Sequence, residues 1–270
     1  MGNISIENTF VDVPGGKVFI CQWRPASAKT NVPVILLHDS LGCVALWRDF
    51  PATLAQCLRR PVIAYDRLGF GQSTARSELP SVDFIREEAE VFFPPLLNAL
   101  GVTEFALFGH SVGGAMALLI AASSNNHCQA VITEAAQPFV EPLTLSSIQA
   151  GKEQFRHPEQ LARLTKYHGE KSQWVVDAWT EVWLSPAFAS WSIEADLGKV
   201  QCPILAIHGE LDEYGSVEFP RRIVSGVISG VKGRAEMMIL KGCGHVPHRE
   251  RKEEVLNLTA AFLEPLTNDF

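Results

Sequence analysis

Six short runs constrain this chain more than any other feature. Val34–Leu37, Val62–Tyr65, Phe105–Phe108, Ala130–Ile132, Ile204–Ile207 and Met237–Leu240 are apolar at every position. A strand with one wet face alternates polar and apolar residues, whereas an unbroken run is buried on both faces, as in a parallel sheet covered by helices. Between the runs lie amphipathic segments at about 46–60, 82–100, 112–123, 217–228 and 250–263. This alternation predicts an α/β chain with a doubly wound, mostly parallel sheet and right-handed crossovers. Residues 9–23 alternate around Pro14-Gly15-Gly16, which predicts an antiparallel hairpin opening the sheet. Pro94-Pro95 interrupts the segment 82–100 and predicts a kink or two short helices there.

The alternation fails over 137–198, which holds Trp174, Trp179, Trp183 and Trp191 among several helical patterns and no buried-strand run. The stretch is too long for a simple crossover. It reads as an inserted helical cap over the carboxyl edge of the sheet, leaving 1–136 and 199–270 as the core. Any single tryptophan is more simply packing than lid, since large aromatics usually pack; as a group they predict an apolar lid. At 270 residues and 47% hydrophobic, one core with an insertion accounts for the length.

Gly109-His110-Ser111-Val112-Gly113 joins the run Phe105–Phe108 to a small-residue helical stretch beginning at Gly114. In such a strand, turn and helix, the spacing Gly-x-Ser-x-Gly holds a serine at a strained angle with its Oγ above the sheet edge. The glycines remove Cβ atoms that would block the turn, and the helix points its positive end at charge developing beside Ser111. A serine hydroxyl is a poor nucleophile and needs a base that is itself oriented by an acid. Two loops after later strands supply candidates: His208–Ser216, containing Asp212, and Lys241–His248, containing His245. The order Ser111, Asp212, His245 is nucleophile, acid, base. His248 competes with His245, but Pro247 separates it from the strand-end loop and places it at the start of the final helix. Glu210 and Glu213 flank Asp212 as further carboxylates.

The balance of 23 basic and 30 acidic residues, without long runs, argues against a nucleic-acid footprint or an anionic membrane surface and favours a small-molecule substrate. The N-terminal Met1–Asn8 shows neither the basic start nor the apolar stretch of a secretory signal, and Ile6 occupies the position where a myristoylation signal needs Ser or Thr. No apolar segment approaches spanning length. The six cysteines form no CxxC pair, which reads as reduced thiols and a cytoplasmic location. Cys43 and Cys243 fall near the site loops, where a cysteine is usually a small core filler. No His, Asp and Glu cluster has metal-ligand spacing, and Gly69-Phe70-Gly71 lacks the spacing of a dinucleotide fingerprint, so neither metal nor cofactor is expected. The oligomeric state stays open.

His38-Asp39-Ser40-Leu41-Gly42, Tyr65-Asp66-Arg67-Leu68-Gly69-Phe70-Gly71-Gln72-Ser73, the serine elbow, the Asp212 loop and Gly244-His245 together resemble the α/β-hydrolase fold superfamily, in its small-capped esterase-like branch. The resemblance covers essentially the whole chain and is far more specific for fold than for substrate. It implies that Ser111 attacks a carbonyl carbon, His245 shuttles the proton and Asp212 orients the imidazole, with the backbone N–H groups of Val112 and Ser40 holding the oxyanion. Some relatives draw the acid from an earlier strand end, so Glu134 is a second candidate. His38 and His110 resemble supporting positions, and Asp66-Arg67 reads as a loop-stabilising pair. The family commonly has Gly where this chain has Asp39, which restricts the loop or sets a carboxylate near the site.

The function implied is a cofactor-independent serine hydrolase of small or medium carboxylic esters. The same groups also serve C–C, thioester or lactone hydrolysis or perhydrolysis. A serine at this position speaks against haloalkane dehalogenases and epoxide hydrolases, which resemble families with Asp there. A non-catalytic ligand receptor on this fold is the reading from another class. Selectivity is expected to reside in the cap, with Arg156 and Arg163 as charged candidates.

Overall fold

The computed structural model describes residues 3–124, 127–227 and 235–265. The hairpin comes first: β1 (Ile4–Val13) and β2 (Gly16–Pro25) pair antiparallel around a turn in which Gly15 takes φ 87°. The apolar runs follow as β3 (Val34–Leu37), β4 (Val62–Tyr65), β5 (Phe105–His110), β6 (Cys128–Glu134), β7 (Ile204–Gly209) and β8 (Ala235–Leu240). They form one eight-stranded sheet in the order β1-β2-β4-β3-β5-β6-β7-β8. From β4 to β8 every neighbour is parallel; β2 meets β4 antiparallel.

The helices are α1 (Phe50–Leu58), α2 (Phe84–Glu87), α3 (Phe93–Leu100), α4 (Val112–Ser123), α5 (Pro142–Gln154), α6 (Pro158–His168), α7 (Ser172–Trp183), α8 (Glu194–Leu197), α9 (Glu218–Gly226), α10 (Pro247–Glu250) and α11 (Lys252–Leu263). Strand parity divides the core between the two sheet faces. Val34, Leu36, Ala106, Phe108 and Ile132 pack with Phe50, Leu54, Val255 and Phe262 of α1 and α11. Ile35, Leu37, Leu107 and Val131 pack on the other face with Ala115, Met116 and Leu119 of α4 and with Phe93 and Leu96 of α3. Residues buried on both faces are thus accounted for by helices on both faces.

Three local expectations change. The segment 82–100 does form two short α-helices, α2 and α3, but they meet ahead of Pro94-Pro95 in a π-helical turn over Glu88–Phe92, where the Phe93 N–H reaches the Glu88 carbonyl. The prolines fall in the first turn of α3, where a missing N–H leaves no helical bond unmade. The segment 112–123 is not amphipathic, because α4 is buried on every side from Val112 to Ala121. β8 is an edge strand rather than a doubly covered one, with Met237 43% and Met238 38% exposed. The predicted helix over 217–228 is observed as α9, and residue 228 lies outside the described residues, as do Met1 and Gly2 of the stretch read for a leader.

Helices α5 to α8 are inserted between β6 and β7, and the two ends of the insertion meet in a bridge between Phe139 and Ser192. Its tryptophans pack: Trp183 is 1% exposed against Phe188 and Trp191, and Trp179 fills the space left by Gly151 and touches Tyr214. Trp174 covers Gly69 and Phe70. Polar straps tie the insertion to the core loops. Lys171 Nζ donates to the carbonyls of Phe70, Gly71 and Ser73 at 3.2, 2.6 and 2.6 Å. His168 accepts from Gly71 N at 2.9 Å and donates to the Leu41 carbonyl at 3.0 Å, a neutral tautomer in keeping with a pKa lowered by burial. Among the described residues no helix is long and apolar enough to cross a membrane.

Candidate active site

Ser111 sits between β5 and α4 at φ 56° and ψ −125°, a conformation that costs a non-glycine residue roughly 1–3 kcal/mol and persists only where surroundings enforce it. Close packing enforces it here. A Cβ on Gly109 would lie 2.3 Å from the Gly113 carbonyl oxygen, and one on Gly113 would lie 2.3 Å from the Leu37 oxygen and 2.7 Å from that of His38. Only glycines allow β5, α4 and the end of β3 to approach this closely. The consequence is spatial: the His38–Gly42 loop, with Ser40, passes beside the elbow, and Val112 opens α4 next to Ser111.

Parallel pairing brings the remaining candidates to the same sheet edge. A Cβ on Gly209 would lie 2.1 Å from the Gly244 oxygen, so the loops after β7 and β8 touch. Asp212 and His245 meet across that contact, with His245 Nδ1 2.8 and 2.9 Å from the two Asp212 oxygens. His245 Nε2 lies 3.1 Å from Ser111 Oγ. Hydroxyl, imidazole and carboxylate are in line, with Nδ1 donating and Nε2 left to accept the hydroxyl proton. Burial pushes the Asp212 carboxyl up, but the hydrogen bond and charge of His245, the His208 ring and the Tyr214 N–H outweigh it and leave the pKa lowered. Asp212 is therefore an anion held beside the His245 Nδ1–H.

The competing candidates pair with each other instead. Glu134 lies at the end of β6 and His248 in α10; His248 Nδ1 donates to Glu134 Oε2 at 2.5 Å, and both side chains are sealed from solvent. His248 is packed against Trp47, Phe50 and His110. Glu210 accepts from Gly242 N, and Glu213 lies beside Gly244, so neither flanking carboxylate orients His245.

The supporting residues shape loops. His38 donates Nδ1–H to the Asp39 carbonyl at 2.8 Å and accepts from Arg67 N at 3.1 Å, a neutral ring whose pKa burial holds well below the ordinary value. Asp66 and Arg67 do not pair with one another. Asp66 accepts from Val44 N and Gln72 N, while Arg67 donates to the Asp39 carbonyl and lies over Phe70. Asp39 accepts from Leu41 N at 2.8 Å and meets His110 Nδ1 at 3.2 Å. His208 Nε2 donates to the Gly215 carbonyl and lies 3.7 Å from Asp212. Desolvation pushes the Cys43 and Cys243 thiols up to about 12, so both are inert fillers.

Several contributors carried no readable sequence signal. Gln137 places Oε1 3.4 Å from Ser111 Oγ, carried there by a left-handed Ala135 at φ 51° just beyond β6. Tyr214 sets its ring 4.8 Å from that of His245, roofing it beneath Trp179. Glu250 accepts from Gly244 N and Val246 N and so braces the loop on both sides of His245. Only the Glu250 position, near the start of the last helix, follows a local rule. Arg156 and Arg163, the charged candidates in the cap, are exposed and bond Glu153 and Gln160 on their own segment. Ligand atoms of His110, Glu134 and His248 lie within 4.8 Å of one another, closer than their scattered positions imply. His248 Nδ1 already bonds Glu134 Oε2, and both His110 nitrogens are taken by Asp39 and the His245 carbonyl, whereas Glu134 Oε1 has no partner among the described residues.

Comparison with known proteins bears on this geometry. A family profile described as the alpha/beta hydrolase fold matches residues 32–169, which include the elbow. The chain is 39% identical over 107 residues to the human 1-acylglycerol-3-phosphate O-acyltransferase ABHD5, covering 38% of this chain and 29% of that one. The match thus spans under a third of the length of these curated relatives. A proline iminopeptidase of Thermoplasma volcanium is 22% identical over 302 residues, 96% of this chain and 97% of its own. Among solved structures, the 2-hydroxy-6-oxo-6-phenylhexa-2,4-dienoate hydrolase of Rhodococcus sp. strain RHA1 superposes with a TM-score of 0.77 at 17% identity, covering 97% of this chain and 100% of its own. At that identity the likeness is one of fold.

Proposed function

The chain belongs to the alpha/beta hydrolase fold family, and on that premise we propose that it is a serine hydrolase cleaving a small or medium carboxylic ester through Ser111, His245 and Asp212. The observation that carries this reading is the continuous path from Ser111 Oγ to His245 Nε2 at 3.1 Å and from His245 Nδ1 to Asp212 at 2.8 Å. As Ser111 Oγ bonds to the ester carbonyl carbon, its proton passes to His245 Nε2, and the cation so formed is stabilised by the Asp212 anion. Collapse of the tetrahedral intermediate expels the alcohol, which takes the proton from Nε2, and leaves an acyl-serine. Water then repeats the sequence, giving up its proton to His245 and releasing the acid.

The negative oxygen of each intermediate falls to two backbone donors, the Val112 N–H at the start of α4 and the Ser40 N–H of the neighbouring loop. The close approach of the Leu37 and His38 carbonyls to Gly113 supports this assignment, because it sets the loop that carries Ser40 beside the start of α4. A small acyl or alcohol group fits a site in which Ser111 is only 4% exposed and His245 is roofed by Tyr214. The core of 1–136 and 199–270 then supplies the chemistry, and the cap of 137–198 supplies selectivity. The lack of any CxxC pair among the six cysteines supports a reducing, cytoplasmic compartment.

The test is hydrolysis of p-nitrophenyl acetate and butyrate by wild type and Ser111→Ala. Loss of the nucleophile is expected to lower kcat by roughly 10⁴-fold or more. Wild-type turnover in the variant would sink the proposal. A parallel screen with thioesters, lactones and vinylogous diketones separates ester cleavage from the other reactions this scaffold carries. Stoichiometric fluorophosphonate labelling of Ser111 with no turnover on any of them would point to a receptor.

A further inference from the structure

His110 directly precedes the nucleophile, is 1% exposed, and presents both ring nitrogens to groups from two other loops. Nδ1 lies 3.2 Å from Asp39 Oδ2, and Nε2 lies 2.8 Å from the backbone oxygen of His245. A carboxylate and a peptide carbonyl are both acceptors. A neutral imidazole has one N–H and satisfies only one of them; the cation satisfies both. The other oxygen of Asp39 accepts from Leu41 N at 2.8 Å, and the Asp39 carbonyl accepts from Gly42 N and from Arg67. Ser40, whose N–H is assigned to the oxyanion, is the residue enclosed between these bonds.

We propose that Asp39 and His110 are a positioning pair for the hydrolytic site: a buried imidazolium, bonded to the Asp39 carboxylate and the His245 carbonyl, holds the Ser40 loop, the serine elbow and the base loop in one register. The role rests on the reading of Ser111 as nucleophile. It explains why this chain tolerates a side chain at 39: one carboxylate oxygen meets His110 of the elbow itself, and the other curls its own loop through Leu41 N. Three loops from three strand ends are thereby fastened through one ring adjacent to Ser111. A displacement of the Ser40 N–H or of His245 by a fraction of an ångström would weaken contacts made in the transition state more than those made to bound ester.

The charged groups around the ring agree. Besides Asp39 and His245, it faces Glu134 and His248 from β6 and α10, with His38 and Arg249 at the edge of the same small cavity. Burial lowers the His110 pKa, but Asp39, Glu134 and the His245 carbonyl outweigh burial and leave it raised. The Asp39 carboxyl is pushed up by burial, yet His110 and His38 with the Leu41 N–H bring it well below the usual range.

The test uses imidazole ¹⁵N NMR of the whole protein, with His110 assigned from a His110→Gln spectrum, alongside kcat for p-nitrophenyl acetate against pH. In wild type at about pH 6.5, where an ordinary imidazole is half protonated, both His110 nitrogens are expected to carry protons in most molecules. As pH rises through the raised pKa, one strut bond is lost and kcat falls by about 10-fold. Asp39→Asn still accepts from Leu41 N and donates to a neutral ring, so the alkaline limb disappears and His110 reads as the neutral Nε2–H tautomer. Asp39→Ala removes the clamp and lowers kcat by about 10- to 100-fold with KM little changed. A neutral His110 in wild type at that pH overturns the pair, as do unaltered kcat and pH profile in both Asp39 variants. Labelling of Ser111 by a fluorophosphonate, read by intact mass, separates the failures. An unlabelled protein sinks the hydrolase reading and the positioning role with it, whereas a labelled protein with neutral His110 sinks the pair alone.

Discussion

Two imidazole–carboxylate pairs lie side by side in this molecule, on histidines three positions apart. His245 Nδ1 meets Asp212 at 2.8 and 2.9 Å, and His248 Nδ1 meets Glu134 at 2.5 Å. The first has Ser111 Oγ 3.1 Å from its far nitrogen and Tyr214 for a roof. The second is wedged between Trp47 and Phe50, with ring centroids at 4.7 and 5.4 Å. Asp212 gains a further donor from Tyr214 N, whereas Glu134 Oε1 is buried with no partner among the described residues. The shorter bond therefore belongs to the pair with the less complete setting. A hydrogen-bonded His and carboxylate is not by itself a proton relay; what the second nitrogen faces decides whether chemistry can follow.

Exchanging like for like tests the contrast most severely. Asp212→Asn should lower kcat on p-nitrophenyl acetate by about 10⁴-fold, since an amide stabilises the wrong tautomer of His245, while Glu134→Gln should lower it by less than about 10-fold. Equal losses would mean that the buried pair takes part in the reaction.

A smaller effect is expected in stability, with the order reversed. His248→Ala leaves Glu134 unpartnered and a void beside Trp47 and Phe50, a loss of about 2–4 kcal/mol measurable by urea unfolding. Removal of the His245 ring from the more open site should cost less.

Acid should sharpen the contrast further. The His248 pKa is lowered, with burial outweighing the pull of Glu134, and His38, His168 and His208 shift the same way. A lowered imidazole contributes stability above its unfolded value of about 6.5 and loses it as pH falls toward the folded value, because the unfolded chain takes up the proton first. The urea midpoint of wild type should fall between about pH 7 and about pH 5, and His248→Asn should flatten that slope by up to about 1.4 kcal/mol per pH unit. His110, whose pKa is raised, works in the opposite sense.

The smallest effect concerns the exposed arginines of the insertion. Arg156→Ala and Arg163→Ala should change stability by no more than about 0.5 kcal/mol and leave KM unchanged, as their partners are surface neighbours on their own segment.

Much of the fold was legible because its signals are local. A doubly buried strand announces itself over four residues, as in Val34–Leu37, and a tight turn needs its glycines at fixed spacing, as at Gly109 and Gly113. Errors arose where burial depends on distant neighbours: α4 turned out to be enclosed on all sides, and β8 to be an edge. The direction of Arg156 and Arg163 was not legible for the same reason, since helical periodicity does not say which side of an inserted helix another layer will cover. Gln137 was invisible because a left-handed alanine, which nothing in the local pattern demands, aims it at Ser111.

The sequence by itself determined the strand order along the chain, the elbow that presents Ser111, and a short roster of acids and bases on later loops. Which acid belongs to which base was decided only by tertiary structure. Asp212 and His245 are 33 residues apart, and Glu134 and His248 are 114 apart; both pairs exist because the sheet sets β6, β7 and β8 in adjacent register and stops each at the same edge. A side chain's proton partner is fixed by distances of a few ångströms across strands, and those distances are set by packing of the whole sheet rather than by any spacing along the chain.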